Sequence, residues 1–188
     1  MLRLYLIRHG ETNFNKNYRY CGITDPPLNK KGISQAKKLA RQLKNTPIDL
    51  VYVSPLRRAD QTAQIIFNRK LKIITAPALR EINFGRWEGL NYNEVMVKYQ
   101  SRLKKWLLNP WAVCPPGGEN LKRFRKRILF FLKKYILPQR KKGIENIALV
   151  THGGVIKIIY SDFKKNRSHD FWSFNPLPGS LLVLKRKV

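Results

Sequence analysis

Arginine, histidine and glycine come together where short apolar runs end. Leu2 to Ile7 breaks into Arg8-His9-Gly10-Glu11-Thr12, and Ile147 to Val150 breaks into Thr151-His152-Gly153-Gly154. A third run, Leu50 to Val53, ends in Ser54-Pro55-Leu56-Arg57-Arg58-Ala59. A guanidinium forks onto phosphate or carboxylate oxygens, an imidazole serves as base, acid or nucleophile, and glycine lets backbone approach a ligand closely. This inventory suits an anion site. On Arg8-His9-Gly10 alone an exposed turn is the simpler reading, because short motifs recur by chance. Several strand ends that each offer such groups shift the balance.

Carboxylates for proton transfer lie in the stretch from Glu81 to Gly89, which holds Glu81 and Glu88 together with Gly85 and Gly89. Either glutamate can serve as donor on residue type alone. Glu11 reads as a structural partner for arginine or backbone. Glu119, after Cys114-Pro115-Pro116-Gly117-Gly118, reads as a carboxylate at the positive start of a helix. No His, Cys or Asp cluster has metal-ligand spacing.

The elements that position these groups follow from periodicity. Leu2 to Ile7 has the length of a buried strand, and residues 13–28, with three asparagines and two prolines, read as a loop. Asn29 caps a helix predicted over Lys30 to Lys44, with Ile33, Ala36, Leu39, Ala40 and Leu43 inward. A strand at Leu50 to Val53, a helix carrying Arg57, Arg58, Thr62, Ala63 and Ile66, and a strand near Lys72 to Thr75 follow. A helix over Tyr92 to Leu108 turns Val95, Tyr99, Leu103 and Trp106 to one side, and Pro110 stops it. The next helix runs to about Leu137, with Leu121, Phe124, Ile128, Phe131, Leu132 and Tyr135 inward and Lys122, Arg123, Lys126, Lys133 and Lys134 outward. Ile147 to Val150 is a buried strand, a helix starts at Val155, and Leu181 to Leu184 is a final strand at the sheet edge. Alternating strands and helices predict parallel strands with ligands at their carboxyl ends.

Composition sets the outer bounds. The 188 residues, 43% of them hydrophobic, fit a single globular domain. The formal net charge of +27 attracts phosphates and other anions at low salt, but the basic residues are spread along the chain. The lysine-rich helix face lacks interleaved exposed aromatics, so nucleic acid is not expected as a partner, and a basic protein that binds nucleic acid or acidic partners stands as the non-enzymatic alternative. Cys21 and Cys114 have no redox or metal spacing and are expected as reduced thiols in a cytoplasmic protein. No stretch is long and apolar enough for a membrane anchor. His169, between Ser168 and Asp170, is read as an ordinary surface histidine.

Taken together, the Arg8 to Thr12, Ser54 to Ala59, Glu81 with Gly85, and Thr151 to Gly154 stretches resemble the histidine phosphatase, or phosphoglycerate mutase-like, superfamily over nearly the whole chain. The resemblance implies one α/β domain over residues 1–188: a three-layer α/β/α fold with a mixed, largely parallel sheet and a small helical cap at about 86–118. It implies a phosphohistidine mechanism without metal or other cofactor. His9 is then the nucleophile and Glu81, ahead of Glu88, the proton donor and acceptor, while Arg8, Arg58 and His152 stabilise charge. Asn15, Cys21, Gly22 and Gly153 join Arg8, Arg58 and His152 in the phosphate pocket, Cys21 through its backbone.

Within the superfamily, the Glu81 to Gly89 stretch, Pro115 to Glu119 and the terminal Pro178-Gly179-Ser180 resemble the α-ribazole phosphatase group of the phosphatase branch. That implies a small phosphomonoester as substrate, α-ribazole 5′-phosphate or its adenosylcobalamin form. Broad-specificity phosphatases, phosphoserine phosphatases and phosphoglycerate mutases remain as alternatives, with Lys104 and Lys105 available to hold a substrate carboxylate. Dimers are common among such proteins, and no membrane partner is implied.

Overall fold

In the computed structural model, which describes residues 1–68, 71–164 and 174–186, the chain starts with strand β1 (Leu2–Arg8). Leu4 and Leu6 pack on one face of the sheet and Tyr5 and Ile7 on the other, as a strand covered on both sides requires. The loop expected from residue 13 instead begins with a one-turn helix, α1 (Asn13–Lys16). The reason is a reciprocal cap: Thr12 Oγ1 accepts from Asn15 N at 3.3 Å, and Asn15 Oδ1 accepts from Thr12 N at 3.0 Å.

Helix α2 (Lys30–Gln42) is capped by Asn29, whose Oδ1 accepts from Gly32 N at 2.8 Å. Its inward residues are Gly32, Ala36, Leu39 and Leu43, whereas Ile33, expected inside, is 39% exposed. The helix sits too close to the Gly10-Glu11 backbone for a side chain at the contact. A Cβ on Gly32 would stand 2.1 Å from Glu11 O, and one on Gly10 would stand 2.4 Å from Gly32 O. Backbone therefore takes the place at which periodicity alone puts Ile33.

Strand β2 (Leu50–Val53), helix α3 (Arg57–Phe67) and strand β3 (Ile73–Thr75) follow. Helix α4 (Tyr92–Leu108) is capped by Asn91 and kinked at Tyr99, which has non-helical dihedrals and is only half-buried. With the turn Gly85–Trp87, α4 forms a small apolar cluster of its own from Trp87, Val95, Leu103 and Trp106.

Helix α5 (Leu121–Phe131) is shorter than expected, because the chain widens into a π-turn over Leu132–Ile136 and then tightens to a 3₁₀ turn over Leu137–Lys142. The wider turn changes which residues face the core. Ile136 becomes fully buried, while Tyr135, expected inside, is 44% exposed.

Strand β4 (Asn146–Thr151) is buried throughout, helix α6 (Gly153–Phe163) starts immediately after His152, and strand β5 (Leu181–Arg186) closes the fold. The sheet order is β3-β2-β4-β1-β5, with β5 antiparallel to β1 at the edge and the other pairs parallel. Helices α5 and α6 cover one face through Phe124, Ile128, Val155 and Ile159. The other face is covered by α2 and α3 through Leu39, Leu43, Ala59 and Ile66. The result is a three-layer α/β/α fold. Among the described residues no helix is long and apolar enough to cross a membrane. His169 lies outside the described residues.

Candidate active site

Register assembles the site. Strand β4 runs between β1 and β2, with Arg8 opposite Thr151 and Val53 opposite Val150. His9, His152 and Ser54, each the residue after its strand, therefore emerge side by side at the carboxyl edge of the sheet, where parallel α/β folds bind ligands.

His9 is almost fully buried. Its Nδ1 lies 2.7 Å from Gly10 O, a contact that needs Nδ1 to carry the proton and leaves a lone pair on Nε2. Nε2 accepts from Arg58 Nε at 3.3 Å. Burial first, then the charges of Arg58 and Arg8, hold the His9 pKa well below its ordinary 6.5, against the pull of the Gly10 hydrogen bond. The ring is neutral at physiological pH.

His152 lies edge-on to His9, with ring centroids 5.1 Å apart. Its Nε2 is 2.7 Å from Ser54 Oγ, while its buried Nδ1 has no partner among the described residues. Burial, then Arg58, His9 and Arg8, lower its pKa well below 6.5. The cationic form is therefore disfavoured, and the ring is a neutral hydrogen-bonding group.

Arg58 is buried at the start of α3 and organises the loop over it. Its Nη1 donates to Thr24 O at 2.8 Å and its Nη2 to Gly22 O at 2.7 Å. Arg8 donates from Nη1 to Pro176 O at 2.6 Å, and its buried Nε has no partner among the described residues. Buried donors without acceptors are costly. Arg8 Nε is such a donor, and so is His152 Nδ1 when Ser54 Oγ donates to Nε2 of the same ring, so both can meet an incoming acceptor oxygen.

Glu81 enters from the segment after the turn Pro77–Leu79. Its Oε1 accepts from Ile82 N at 3.0 Å and its Oε2 from Gly154 N at 2.9 Å, in the first turn of α6. Together with Arg8, Asn15, Cys21 and Gly153 it lines a cavity of about 310 Å³. The remaining wall is largely Tyr20, Phe84, Trp106, Leu107 and Leu121, with Arg19, Lys157 and Asn175 as polar groups.

Several sequence expectations change here. Gly22 N is taken by the Glu88 carboxylate at 3.0 Å and Gly22 O by Arg58 Nη2 at 2.7 Å, so Gly22 is tied to the site through its carbonyl. Glu88 accepts from the amides of Gly22, Ile23, Thr24 and Phe84 and staples two loops together, whereas Glu81 is the glutamate that lines the cavity. Asn15 lines the cavity, but its Oδ1 is held by Thr12. Cys21 is a free thiol. Burial pushes its pKa up to about 11, which makes it a poor nucleophile and leaves its position as its contribution.

Lys104 and Lys105 are exposed and absent from the cavity wall. The cations in the wall besides Arg8 are Lys157 and Arg19, the latter paired with Glu94 at 3.1 Å. Glu11 pairs with Lys31 Nζ at 2.9 Å and Asn29 Nδ2 at 3.0 Å, rather than with arginine. Glu119 stands before the helix, but Asn120 is the cap and Glu119 binds Arg127. Among the described residues no group of three or more His, Cys, Asp or Glu side chains is set to hold a metal.

The sheet edge, the paired histidines and the arginines around them define an α/β protein built to receive a phosphate group. The profile of the histidine phosphatase superfamily (branch 1) matches residues 4–187, and the chain belongs to that family. It is 33% identical over 175 residues to phosphoserine phosphatase 1 of Hydrogenobacter thermophilus, covering 93% of this chain and 82% of that one. To the adenosylcobalamin/alpha-ribazole phosphatase of Escherichia coli it is 33% identical over 175 residues, covering 92% and 84%. The crystal structure of the alpha-ribazole phosphatase from Shigella flexneri superposes with a TM-score of 0.90 at 29% identity, covering 99% of this chain and 91% of that one.

Proposed function

We propose that the protein hydrolyses phosphate monoesters through a phosphohistidine on His9. The observation that carries this reading is the tautomer of His9: Nδ1 donates to Gly10 O at 2.7 Å, so Nε2 holds a lone pair in a buried site lined by Arg8 and Arg58. Nε2 attacks phosphorus, displacing the long contact to Arg58, and the bond from phosphorus to the alcohol oxygen breaks. Glu81, protonated at that stage, gives its proton to the departing oxygen. Arg8, Arg58 and His152 hold the three equatorial oxygens, on which charge concentrates. Glu81 then takes a proton from the water that attacks the phosphohistidine. The phosphorus–nitrogen bond breaks, and the lone pair returns to Nε2. The chain's own cations and hydrogen-bond donors supply the charge stabilisation, without a metal or organic cofactor.

For the substrate we infer α-ribazole 5′-phosphate, or the adenosylcobalamin 5′-phosphate form, in nucleotide-loop assembly of cobalamin. Two features support it: relatives that carry that name, and a cavity wall of Tyr20, Phe84, Trp106, Leu107 and Leu121. Such a wall suits an alcohol bearing an aromatic base. Lys157 and Arg19 in the same wall favour a second substrate reading, an alcohol bearing a carboxylate, as in phosphoserine or phosphoglycerate. The test is phosphate release in EDTA from α-ribazole 5′-phosphate, phosphoserine, 3-phosphoglycerate and p-nitrophenyl phosphate, in wild type and His9→Ala. A large His9-dependent preference in kcat/KM for the ribazole ester supports both mechanism and pathway. Similar rates on all four keep the mechanism and remove the pathway, and no release from any removes both.

A second reading, nucleic-acid binding beside the phosphatase activity, is supported by Phe130, which is 59% exposed on the basic side of α5 with Lys134 Nζ 5.4 Å from its ring. This supplies the exposed aromatic that was missing from the sequence pattern, on a surface suited to single-stranded nucleic acid. Salt-sensitive binding of an oligonucleotide at physiological salt, equal in wild type and His9→Ala and lost in Phe130→Ala, is its signature.

A further inference from the structure

We propose that Arg127, held in place by Glu119, is a positioning residue that sets Glu81 for proton transfer; the inference rests on the reading of Glu81 as proton donor. Arg127 projects from the second turn of α5, and all five of its N–H groups meet acceptors. Nε donates to Glu119 Oε1 at 2.8 Å and Nη2 to Glu119 Oε2 at 2.9 Å, a two-point fork. The remaining donors all go to the segment that carries Glu81: Nη1 to Ala78 O at 2.7 Å and Arg80 O at 2.8 Å, and Nη2 to Glu81 O at 3.0 Å.

That segment needs such a clamp. After the turn Pro77–Leu79, residues 80–84 lie in no helix or strand, and their backbone bonds within the segment's own turns are confined to its two ends, Arg80 N to Pro77 O and Trp87 N to Phe84 O. Glu81 is therefore located at two points. Its carbonyl is tied to α5 through Arg127, and its carboxylate is tied to α6 through Gly154 N. Phe124 links these supports. The Arg127 guanidinium lies 4.7 Å from the Phe124 ring centroid, and Phe124 Cζ is 3.2 Å from the point where a Cβ on Gly154 would stand. Moving Arg127 thus moves the backbone of the acid and loosens the contact that orients its carboxylate. Lysine cannot replace it, since an ammonium has three donors and no fork.

A clamp that merely stabilises the fold and one that positions an acid make different kinetic predictions. Loss of the acid slows the departure of a poor leaving group far more than that of a good one. The experiment measures kcat/KM for phenyl phosphate and p-nitrophenyl phosphate in wild type, Arg127→Met, Arg127→Lys, Glu119→Gln and Glu81→Gln, with circular dichroism to verify the fold. Arg127→Met is expected to lose roughly 10- to 100-fold on phenyl phosphate and no more than about threefold on p-nitrophenyl phosphate, where proton donation matters little. Arg127→Lys and Glu119→Gln fall between, and they carry the comparison if Arg127→Met does not fold.

Equal losses on the two esters in the folded variants, or no loss on either, overturn the inference. Glu81→Gln separates the two failures. If it shows steep leaving-group dependence while the Arg127 and Glu119 variants do not, only the positioning role falls. If Glu81→Gln itself shows none, the reading of Glu81 as acid falls and the positioning role with it.

Discussion

Arg58 Nε stands 3.3 Å from His9 Nε2 and points a permanent positive charge at the one ring nitrogen that has a lone pair. Placing a cation there opposes protonation of the imidazole, and burial acts in the same direction and more strongly. Protonated His9 cannot attack phosphorus. The acid limb of kcat/KM is therefore expected well below pH 6.5, the ordinary histidine value. Replacing Arg58 by Gln removes one of the depressing charges and moves that limb upward. A wild-type limb centred at or above the ordinary value contradicts the neutral-histidine site.

The same shifts set the pH dependence of stability. His9 and His152 both have folded pKa values below their unfolded ones, so the unfolded chain binds more protons in the window beneath 6.5. Their contribution is complete above that value and is lost as pH falls toward the folded pKa values. Each histidine lowers stability by up to about 1.4 kcal/mol per pH unit there. Thermal unfolding followed between neutral and mildly acidic pH should show this decline, and His152→Asn should flatten it. An identical decline in that variant would place the effect elsewhere.

Much of this site was legible in the sequence because strand ends carry it. Arg8, His9, Ser54, Arg58 and His152 each lie within five residues of a short apolar run, and parallel topology then brings the runs together. Arg127 was not legible as part of the site. It sits among lysines and arginines that face water, and only its place three residues after Phe124 and four before Phe131, beside the inward stripe of α5, marks it as different. Glu88 and Glu81 differ in the partners that the folded loops bring to each, and no spacing rule contains that. The π-turn that exposes Tyr135, and the backbone contact that puts Gly32 inside in place of Ile33, are tertiary effects that override helical periodicity.

Glu88 is expected to matter as a staple. Its carboxylate accepts from Gly22 N, Ile23 N, Thr24 N and Phe84 N at 2.9–3.0 Å. Glu88→Ala leaves these amides without acceptors and frees the loop whose Gly22 and Thr24 carbonyls hold Arg58. The expected cost is about 2–4 kcal/mol, with a lower kcat/KM that depends little on the leaving group. Chemical denaturation measures the first, and the pair of aryl phosphates the second. Strong leaving-group dependence would instead make Glu88 a proton donor.

Gly32→Ala pits two effects against each other in the first turn of α2. Helix propensity favours alanine by roughly 1 kcal/mol. The new Cβ meets Glu11 O at 2.1 Å and Glu11 N at 2.7 Å, both backbone atoms, so the helix or the Gly10-Glu11 strand end must shift. Overpacking costs about 1–3 kcal/mol, and because both clashing atoms are backbone the cost falls toward the upper end, so the net change is destabilising by about 1–2 kcal/mol. Because Gly10 O holds His9 in its tautomer, activity should fall with it. A variant as stable as wild type would mean that α2 can move away freely.

The cavity wall offers a way to decide between the two substrate readings. Trp106 is anchored edge-on to Trp87, with ring centroids 5.5 Å apart, and presents apolar surface to the cavity. Lys157, from the second turn of α6, lines the same cavity, and burial lowers its pKa from the ordinary value. If the alcohol carries an aromatic base, Trp106→Ala should raise KM for α-ribazole 5′-phosphate by about tenfold or more, the equivalent of roughly 1.4 kcal/mol of lost contact. Lys157→Met should then change it little. If the alcohol carries a carboxylate, Lys157→Met should raise KM for phosphoserine or 3-phosphoglycerate by a similar factor, and Trp106→Ala should matter less. Because p-nitrophenolate leaves with little need of proton donation, kcat for p-nitrophenyl phosphate should be retained in both variants, which makes the KM changes a reading of what the leaving group contacts.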